Sequence, residues 1–461
     1  MTDSATPESD LTAVILAAGK GTRMKSALPK VLHALAGAPM LAHVMAAVKQ
    51  AGIGKQALVV GPGMEDVTEA AEALAPGIAS FIQADQQGTA DAVSAAKDAI
   101  AQAAGPVLVL YGDTPLLHSA TLSEVGKTLK DGADIVVVGF EPDDPAGYGR
   151  LMLEPSGALI GIREDKDASE EERKIRLCNS GIMGFCSGKT LLELLSKIGN
   201  DNAKGEYYLT DAVGLAAEAG LTARIVTADP DTVLGVNSRA ELAIAETVLQ
   251  ERIRTRVMAE GATLIAPETV FFSYDTEIGR DVVIEPNVVF GPGVSVGDGV
   301  VIRAFCRIEG ATIGESATIG PFARLRPGAE LAASAHVGNF VEIKKARVGT
   351  GAKVNHLTYI GDAVIGQGAN IGAGTITCNY DGFDKYLTEI GEEAFVGSNS
   401  ALVAPVKIGD GAYVGSGSVI TSDVAPGALA LTRAPQEERA DWATRFRARR
   451  ARAKKDGNNG K

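Results

Sequence analysis

The chain has 461 residues, 46% of them hydrophobic and 22% charged, a globular composition that excludes wholesale disorder and fibrous classes and fits two to three domains. Glycine is abundant at 54 residues and aromatics are scarce at 5%, which points to tight turns and thin aliphatic layers. A net charge of −13 excludes whole-molecule attraction to nucleic acid or anionic membrane, although residues 434–461 carry a local +5.

The first ten residues, MTDSATPESD, form a polar extension (1–10) without the basic start and apolar core of a signal peptide. No run approaches the roughly 20 apolar residues that span a bilayer. Cys178, Cys186, Cys306 and Cys378 show no CxxC spacing and read as reduced, buried thiols of a cytoplasmic protein.

Over residues 11–238, short apolar runs alternate with amphipathic stretches. AVILAAG, QALVVG, PVLVLYGD and ADIVVVGF read as strands, with helices expected over 40–50, 64–74 and 121–129. This predicts an α/β, Rossmann-like domain with a mainly parallel sheet covered on both faces and ligands beyond the carboxyl ends of its strands. The leading strand runs into Leu16-Ala17-Ala18-Gly19-Lys20-Gly21-Thr22-Arg23-Met24, followed by Leu28-Pro29-Lys30. It is not a P-loop, because Val14 stands where the first glycine belongs and Gly21 replaces the Ser/Thr after Lys20. Met24 at the third glycine position excludes a dinucleotide fingerprint. What remains is a glycine-rich turn suited to phosphate, with Lys20, Arg23 and Lys30 nearby.

Residues 239–260 form one long helical pattern, a plausible rigid connector. Thereafter aliphatic or aromatic residues recur every six positions, from Ile278, Ile284, Phe290, Val296, Ile302 and Ile308 to Ile390, Val396, Leu402, Ile408, Val414 and Ile420. Gly often follows directly, as in Ile313-Gly314. Period six is the signature of a hexapeptide parallel β-helix, here over 261–433, whose corners favour small or turn-forming residues. Three hexads per coil give about nine coils and a prism on the order of 40 Å long. The one long break, residues 377–389, reads as a loop thrown outward, where function concentrates. The tail 434–461 includes RFRARRARAKK (445–455) and reads as a solvated basic end.

LAAGKGTRM followed by LPK resembles the opening of the sugar-1-phosphate nucleotidyltransferases. Later segments match in order: Gln83 with Gly88-Thr89, Tyr111-Gly112-Asp113, Gly147-Tyr148-Gly149-Arg150, Glu164, Asn179-Ser180-Gly181, GEYYLTD (205–211) and Gly235-Val236-Asn237. The repeat region adds PFARLRPG (321–328), Glu342-Ile343-Lys344-Lys345, His356-Leu357-Thr358-Tyr359, Asn370-Ile371-Gly372-Ala373 and Cys378-Asn379-Tyr380. Together, over roughly residues 11–435, they resemble the bacterial bifunctional N-acetylglucosamine-1-phosphate uridyltransferases and glucosamine-1-phosphate N-acetyltransferases.

The resemblance implies that Leu16, Ala17, Ala18, Gly19 and Lys30 bind the triphosphate of UTP, that Tyr111, Gly112 and Asp113 contact substrate, and that Gln83, Gly88 and Thr89 hold uracil. It assigns Gly149, Glu164 and Asn179 to the sugar of N-acetylglucosamine 1-phosphate, Asp113 and Asn237 to Mg²⁺, and catalytic roles to Arg23 and Lys30. Catalysis is then mainly positioning and charge neutralisation, because an ionised phosphate nucleophile needs no general base. Mg²⁺ prefers oxygen ligands and keeps several waters, so one carboxylate and one amide oxygen suffice.

For the repeat domain the resemblance implies His356 as the base for the amine of glucosamine 1-phosphate, a role suited to imidazole. Arg326 and Lys344 would hold the sugar phosphate, and Tyr359, Asn370 and the Asn379-Tyr380 loop would orient the sugar. Ala373, Asn379, Tyr380, Ser398, Ser416 and Arg433 belong to the acetyl-CoA site, Ser416 only through its backbone. A left-handed β-helix and a parallel homotrimer are likewise implied. The product would be UDP-N-acetylglucosamine, a precursor for peptidoglycan and lipopolysaccharide. Two rivals are a single-activity nucleotidyltransferase whose solenoid only oligomerises it, and a non-catalytic regulator. His356, Lys344, Tyr359 and Asn379 count against the first, and Arg23, Lys30, Asp113 and Asn237 against the second.

Overall fold

A computed structural model describes residues 10–458; of the polar extension expected at 1–10, only Asp10 falls within them. The chain divides into two compact units, the first running to Glu260 and also taking in Ala266–Thr276 and Phe290–Gly293. The second comprises Gly261–Ile265, Glu277–Val289 and the residues from Val294 onward.

The first unit is built on a nine-stranded sheet: β1 (Thr12–Leu16), β2 (Lys55–Val60), β3 (Ala79–Ile82), β4 (Val107–Tyr111), β5 (Ile135–Phe140), β6 (Arg150–Leu153), β7 (Leu159–Arg163), β8 (Cys178–Phe185) and β9 (Ala223–Thr227). The main path runs β9-β5-β8-β4-β1-β2-β3, with β6 and β7 as a hairpin off β8. Pairings are parallel except those of β8 and the β6–β7 hairpin. The apolar runs are continuous because successive residues enter opposite cores. Ala13, Ile15, Leu108, Leu110, Val136 and Val138 pack on one face, and Val14, Leu16, Val107, Val109, Ile135 and Val137 on the other. Helices Met40–Gln50, Glu65–Leu74 and Ser119–Lys130 fall where the apolar spacing places them.

Residues 239–260, expected as a connector, contain the helix Arg239–Ala259, which packs within the first unit through buried Ala245, Ile253 and Val257. Gln250, 1% exposed, donates to Phe272 O at 2.7 Å and accepts from Phe272 N at 2.8 Å, fastening the segment Ala266–Thr276 to the helix.

The second unit is a parallel β-helix. Short strands stack at spacings of 17 or 18 residues, as in Val283–Val301–Thr318–His336–Lys353–Asn370, all parallel. The sixfold column is its axis: Ile284, Ile302, Ile319, Val337, Val354, Ile371, Val396 and Val414 are all buried. A second buried column two residues earlier is small, for example Val282, Val300, Ala317, Ala335, Ala352, Ala369, Ala394 and Ala412. Glycine after the aliphatic residue serves close approach between coils: a Cβ on Gly314 would lie 2.8 Å from Ala332 C and 2.9 Å from Leu331 O. The left-handed corners themselves accept bulky residues, contrary to the expectation of small ones there; Phe305, Phe322, Phe340 and Leu357 all have φ between 52° and 62°. Their side chains point outward, so no interior volume limits them.

From Asn370 to its partner Phe395 the coil is lengthened by the loop after Cys378. That loop doubles back through a Tyr380–Lys385 bridge and presents an exposed Phe383. The basic tail is helical over Trp442–Asn458. Among the described residues no helix is long and apolar enough to cross a membrane. All four cysteines are free, Cys178 and Cys306 buried and the other two half-buried.

Candidate functional sites

At the carboxyl ends of β1 and β4 lies a cavity of about 640 Å³. Leu16, Ala17, Ala18, Gly19, Arg23, Lys30, Gln83, Gly88, Thr89, Tyr111, Asp113 and Asn237 all line it. Gly112 stands behind, its N–H bonded to Leu16 O at 2.9 Å, which locks the two strand ends together. Gly21 has φ 58°, and a Cβ there would meet Lys30 Cβ at 2.7 Å, so the turn folds directly against the lysine. Gly88 has φ 125° and approaches Tyr207 O so closely that no side chain fits. Gln83, 6% exposed, donates to Gly88 O at 2.9 Å and Asp91 Oδ2 at 2.8 Å.

The Lys30 ammonium is paired with the Asp113 carboxylate and lies 3.0 Å from Asn237 Oδ1. Carboxylate and amide oxygens from two distant loops therefore converge on one cation. Val236 N bonds Asp113 O at 2.8 Å, holding those loops in register. Among the described residues there is no cluster of three or more His, Cys, Asp or Glu suited to a metal; this oxygen pair is the arrangement that fits a hard cation, with water and phosphate completing the shell.

Glu164, Gly149 and Asn179 do not line this cavity but lie together, a Cβ on Gly149 coming 3.6 Å from Glu164 Oε1. Asn179 N bonds Gly149 O at 2.8 Å, and Thr210 Oγ1 donates to Glu164 Oε1 at 3.1 Å. Burial pushes the Glu164 carboxyl above its ordinary value, and burial together with the Asp113 and Glu164 carboxylates pushes the Tyr111 phenol up. Lys20, Gln86, Lys204 and Glu206 also line the cavity. Lys20 belongs to the glycine-rich run and Glu206 to the GEYYLTD run, so both had a signal; Gln86 and Lys204 did not.

In the second unit, coil stacking assembles two groups. Arg326 Nη1 donates to Glu342 Oε1 at 2.9 Å. The Lys344 ammonium is held below the usual lysine range, first by its contact with Lys385 and then by the charges of Lys385 and Arg326. Three cations thus share one surface. Lys385, on the protruding loop, was not legible in the sequence because only folding of that loop brings it to Lys344. Asn379 Nδ2 donates to Asp362, and Tyr380 OH donates to Gly382 O, fixing the loop base.

The other group runs along a row of coils. Asn399 N bonds Ala373 O at 2.7 Å, Gly417 N bonds Ser398 O at 2.8 Å, and Arg433 Nη1 bonds Ser416 O at 2.6 Å. Ala373, Ser398, Ser416 and Arg433 therefore follow one another on successive coils. His356 is exposed, and its Nδ1 lies 2.5 Å from Asn339 Oδ1. No hydrogen bond joins its ring to Tyr359, Asn370 or Asn379. Tyr359 lies opposite Glu342 on the neighbouring coil, with its hydroxyl over Gly361, and Asn370 lies beside Lys353.

Residues 13–175 match the MobA-like NTP transferase domain, and residues 275–310 and 387–422 match the bacterial transferase hexapeptide family. The chain is 55% identical over 447 residues to the bifunctional protein GlmU of Azorhizobium caulinodans, covering 97% of this chain and 99% of that one. Identity is 58% to the bifunctional protein GlmU of Parvibaculum lavamentivorans, covering 96% and 98% of the two chains. The chain belongs to the bifunctional GlmU family.

Membership of the GlmU family carries both activities. The chain is a nucleotidyltransferase and an acetyltransferase: it acetylates glucosamine 1-phosphate with acetyl-CoA and transfers UMP from UTP to the acetylated sugar phosphate. Its substrates are a nucleotide, sugar phosphates and acetyl-CoA, and the nucleotidyltransferase step uses a divalent metal. The single-activity and regulator readings are thereby set aside.

Proposed function

We propose that the first cavity is the uridyltransferase site and that the Arg326–Lys344–Lys385 surface with His356 forms the acetyltransferase site. The observation that carries the first assignment is the convergence of Asp113 and Asn237 oxygens on Lys30 beneath the glycine-rich turn. Asp113 and Asn237 would hold Mg²⁺. When bound, Mg²⁺ supplies charge neutralisation at the phosphates. Turn amides at Ala17, Ala18 and Gly19, with Arg23 and Lys30, hold the triphosphate, and Gln83, Gly88 and Thr89 hold uracil. Glu164 and Asn179 orient the sugar so that its phosphate oxygen attacks the α-phosphorus. The new O–P bond forms as the bond to pyrophosphate breaks.

In the second reaction, Asn339 Oδ1 accepts the Nδ1 proton of His356. This leaves Nε2 as the base that takes the amine proton while the amine nitrogen attacks the acetyl thioester. The coenzyme leaves as its thiolate. The cation group holds the sugar phosphate, and the Ala373–Arg433 row holds acetyl-CoA.

The homotrimer is the assembly we favour, supported by exposed apolar ladders. Phe305, Phe322 and Phe340 stack at 4.9 and 5.2 Å while about half exposed, and Phe395 and Tyr413 stack at 5.1 Å. Four unpaired cysteines support a cytoplasmic setting.

The test is to follow free thiol and pyrophosphate with the full chain. His356→Ala is expected to lose thiol release by about 10²–10⁴-fold yet keep pyrophosphate release when given N-acetylglucosamine 1-phosphate. Asp113→Ala is expected to lose pyrophosphate release by at least about a hundredfold and keep thiol release. Loss of both activities in either variant contradicts the site assignments.

A further inference from the structure

The residues read as sugar ligands gather at a hairpin that packs into the core through Leu151, Leu159 and Ile162 but has little backbone pairing with the main sheet. The β6–β7 hairpin lies off the main path and joins it through one register pair, Arg150 opposite Cys178 of β8. Gly149 immediately precedes that pair, Asn179 immediately follows it, and Glu164 follows the last residue of β7. All three residues read as sugar ligands therefore sit one position from this junction or from the hairpin's end.

Arg150 is the side chain that spans the region. Although charged, it is 2% exposed. Its guanidinium donates to Tyr148 O, lies 3.3 Å from Asp165 Oδ1 and reaches towards Arg173 O at 3.5 Å. Arg173 in turn donates to Asp165 O from Nε and Nη2 at 3.3 and 3.0 Å, closing the loop that follows Glu164. Asp165 is the next residue after Glu164, so fixing its backbone and carboxylate fixes where the Glu164 carboxylate emerges. Burying a guanidinium is costly, and apolar side chains could fill the same space. A buried guanidinium paired with a half-buried carboxylate adds one permitted geometry, which a ligand cradle needs.

We propose that Arg150 is a positioning residue whose ion pair with half-buried Asp165 latches the sugar-binding hairpin in the geometry that N-acetylglucosamine 1-phosphate requires. The proposal rests on the reading of Gly149, Glu164 and Asn179 as the sugar site. It separates sugar recognition from nucleotide recognition, because neither the pair nor Gly149, Glu164 and Asn179 line the cavity that holds the glycine-rich turn and Gln83.

Pyrophosphate release by the full chain resolves the KM for N-acetylglucosamine 1-phosphate from that for UTP. Arg150→Lys keeps the charge but loses the planar fork. The double variant Arg150→Met with Asp165→Leu replaces the pair by apolar groups and leaves no buried charge unpaired. Each is expected to raise the sugar-phosphate KM about tenfold while the UTP KM stays within about twofold and thiol release is unchanged. Glu164→Gln is the reference for the underlying site. If it leaves the sugar-phosphate KM unaltered, the sugar-site reading fails. If it raises that KM while the Arg150 variants leave both constants at the wild-type level, or raise both alike, the latch is overturned.

Discussion

On the proposed site assignment, Glu164 is a single residue at which function costs stability. Burial raises its carboxyl pKa, so the folded state binds a proton more readily than the unfolded chain. Stability is therefore greatest below the ordinary carboxylate pKa and falls as pH rises through the raised value. At pH 7 the ionised carboxylate is held at a cost. Glu164→Gln is accordingly expected to raise the unfolding midpoint of the first unit at pH 7 by about 1–3 °C while weakening sugar-phosphate binding, and calorimetry alongside kinetics checks both. At the second site, Lys344 is held below the usual lysine range by Lys385, so it loses its charge earlier on the alkaline side. The KM for glucosamine 1-phosphate should rise there, and Lys385→Met should move that rise to higher pH; an unmoved profile contradicts the shared phosphate surface. The glycine-rich turn, Asp113 and Asn237 were legible because motif order placed them. Lys385 and Asn339 were not, since their partners lie 41 and 17 residues away and only coil stacking or the loop's fold brings them together.

Elements differ in how openly the sequence declares them. The hexad column was readable position by position because one aliphatic residue per six has no other economical use than an axis. The physical role of the following glycine was not: spacing suggested turn chemistry, whereas Gly314 is required by the approach of the next coil. Gly314→Ala is therefore expected to destabilise the second unit by about 1–3 kcal/mol, measured as a lower urea midpoint for its transition, and an unchanged midpoint contradicts the close-approach explanation. Helix Arg239–Ala259 shows the opposite limit. Its polar and apolar residues are mixed, and bonds such as Gln250–Phe272 and Arg254–Pro267 reveal what covers it.

For the whole molecule, periodicity located two architectures but not their interleaving. Phe290 continues the hexad rhythm, yet it belongs with the first unit and stacks on Phe272 at 5.0 Å. Composition did not mark this division, since glycines run through both units and most aromatics lie in the repeat region. At this scale the exposed ladders at Phe322 and Tyr413 bear on assembly: Phe322→Ser with Phe340→Ser is expected to shift the mass by light scattering from that of the proposed trimer towards monomer, and an unchanged mass removes that ladder from the interface.

The central claim is that one chain carries two independent active sites linked by a sugar phosphate. Mixing His356→Ala with Asp113→Ala tests it directly, with glucosamine 1-phosphate, acetyl-CoA, UTP and Mg²⁺ supplied and UDP-N-acetylglucosamine measured. Each variant alone should form almost none, and the mixture should restore formation, because the acetylated sugar phosphate made by one is consumed by the other. A mixture as inactive as its components would contradict the account.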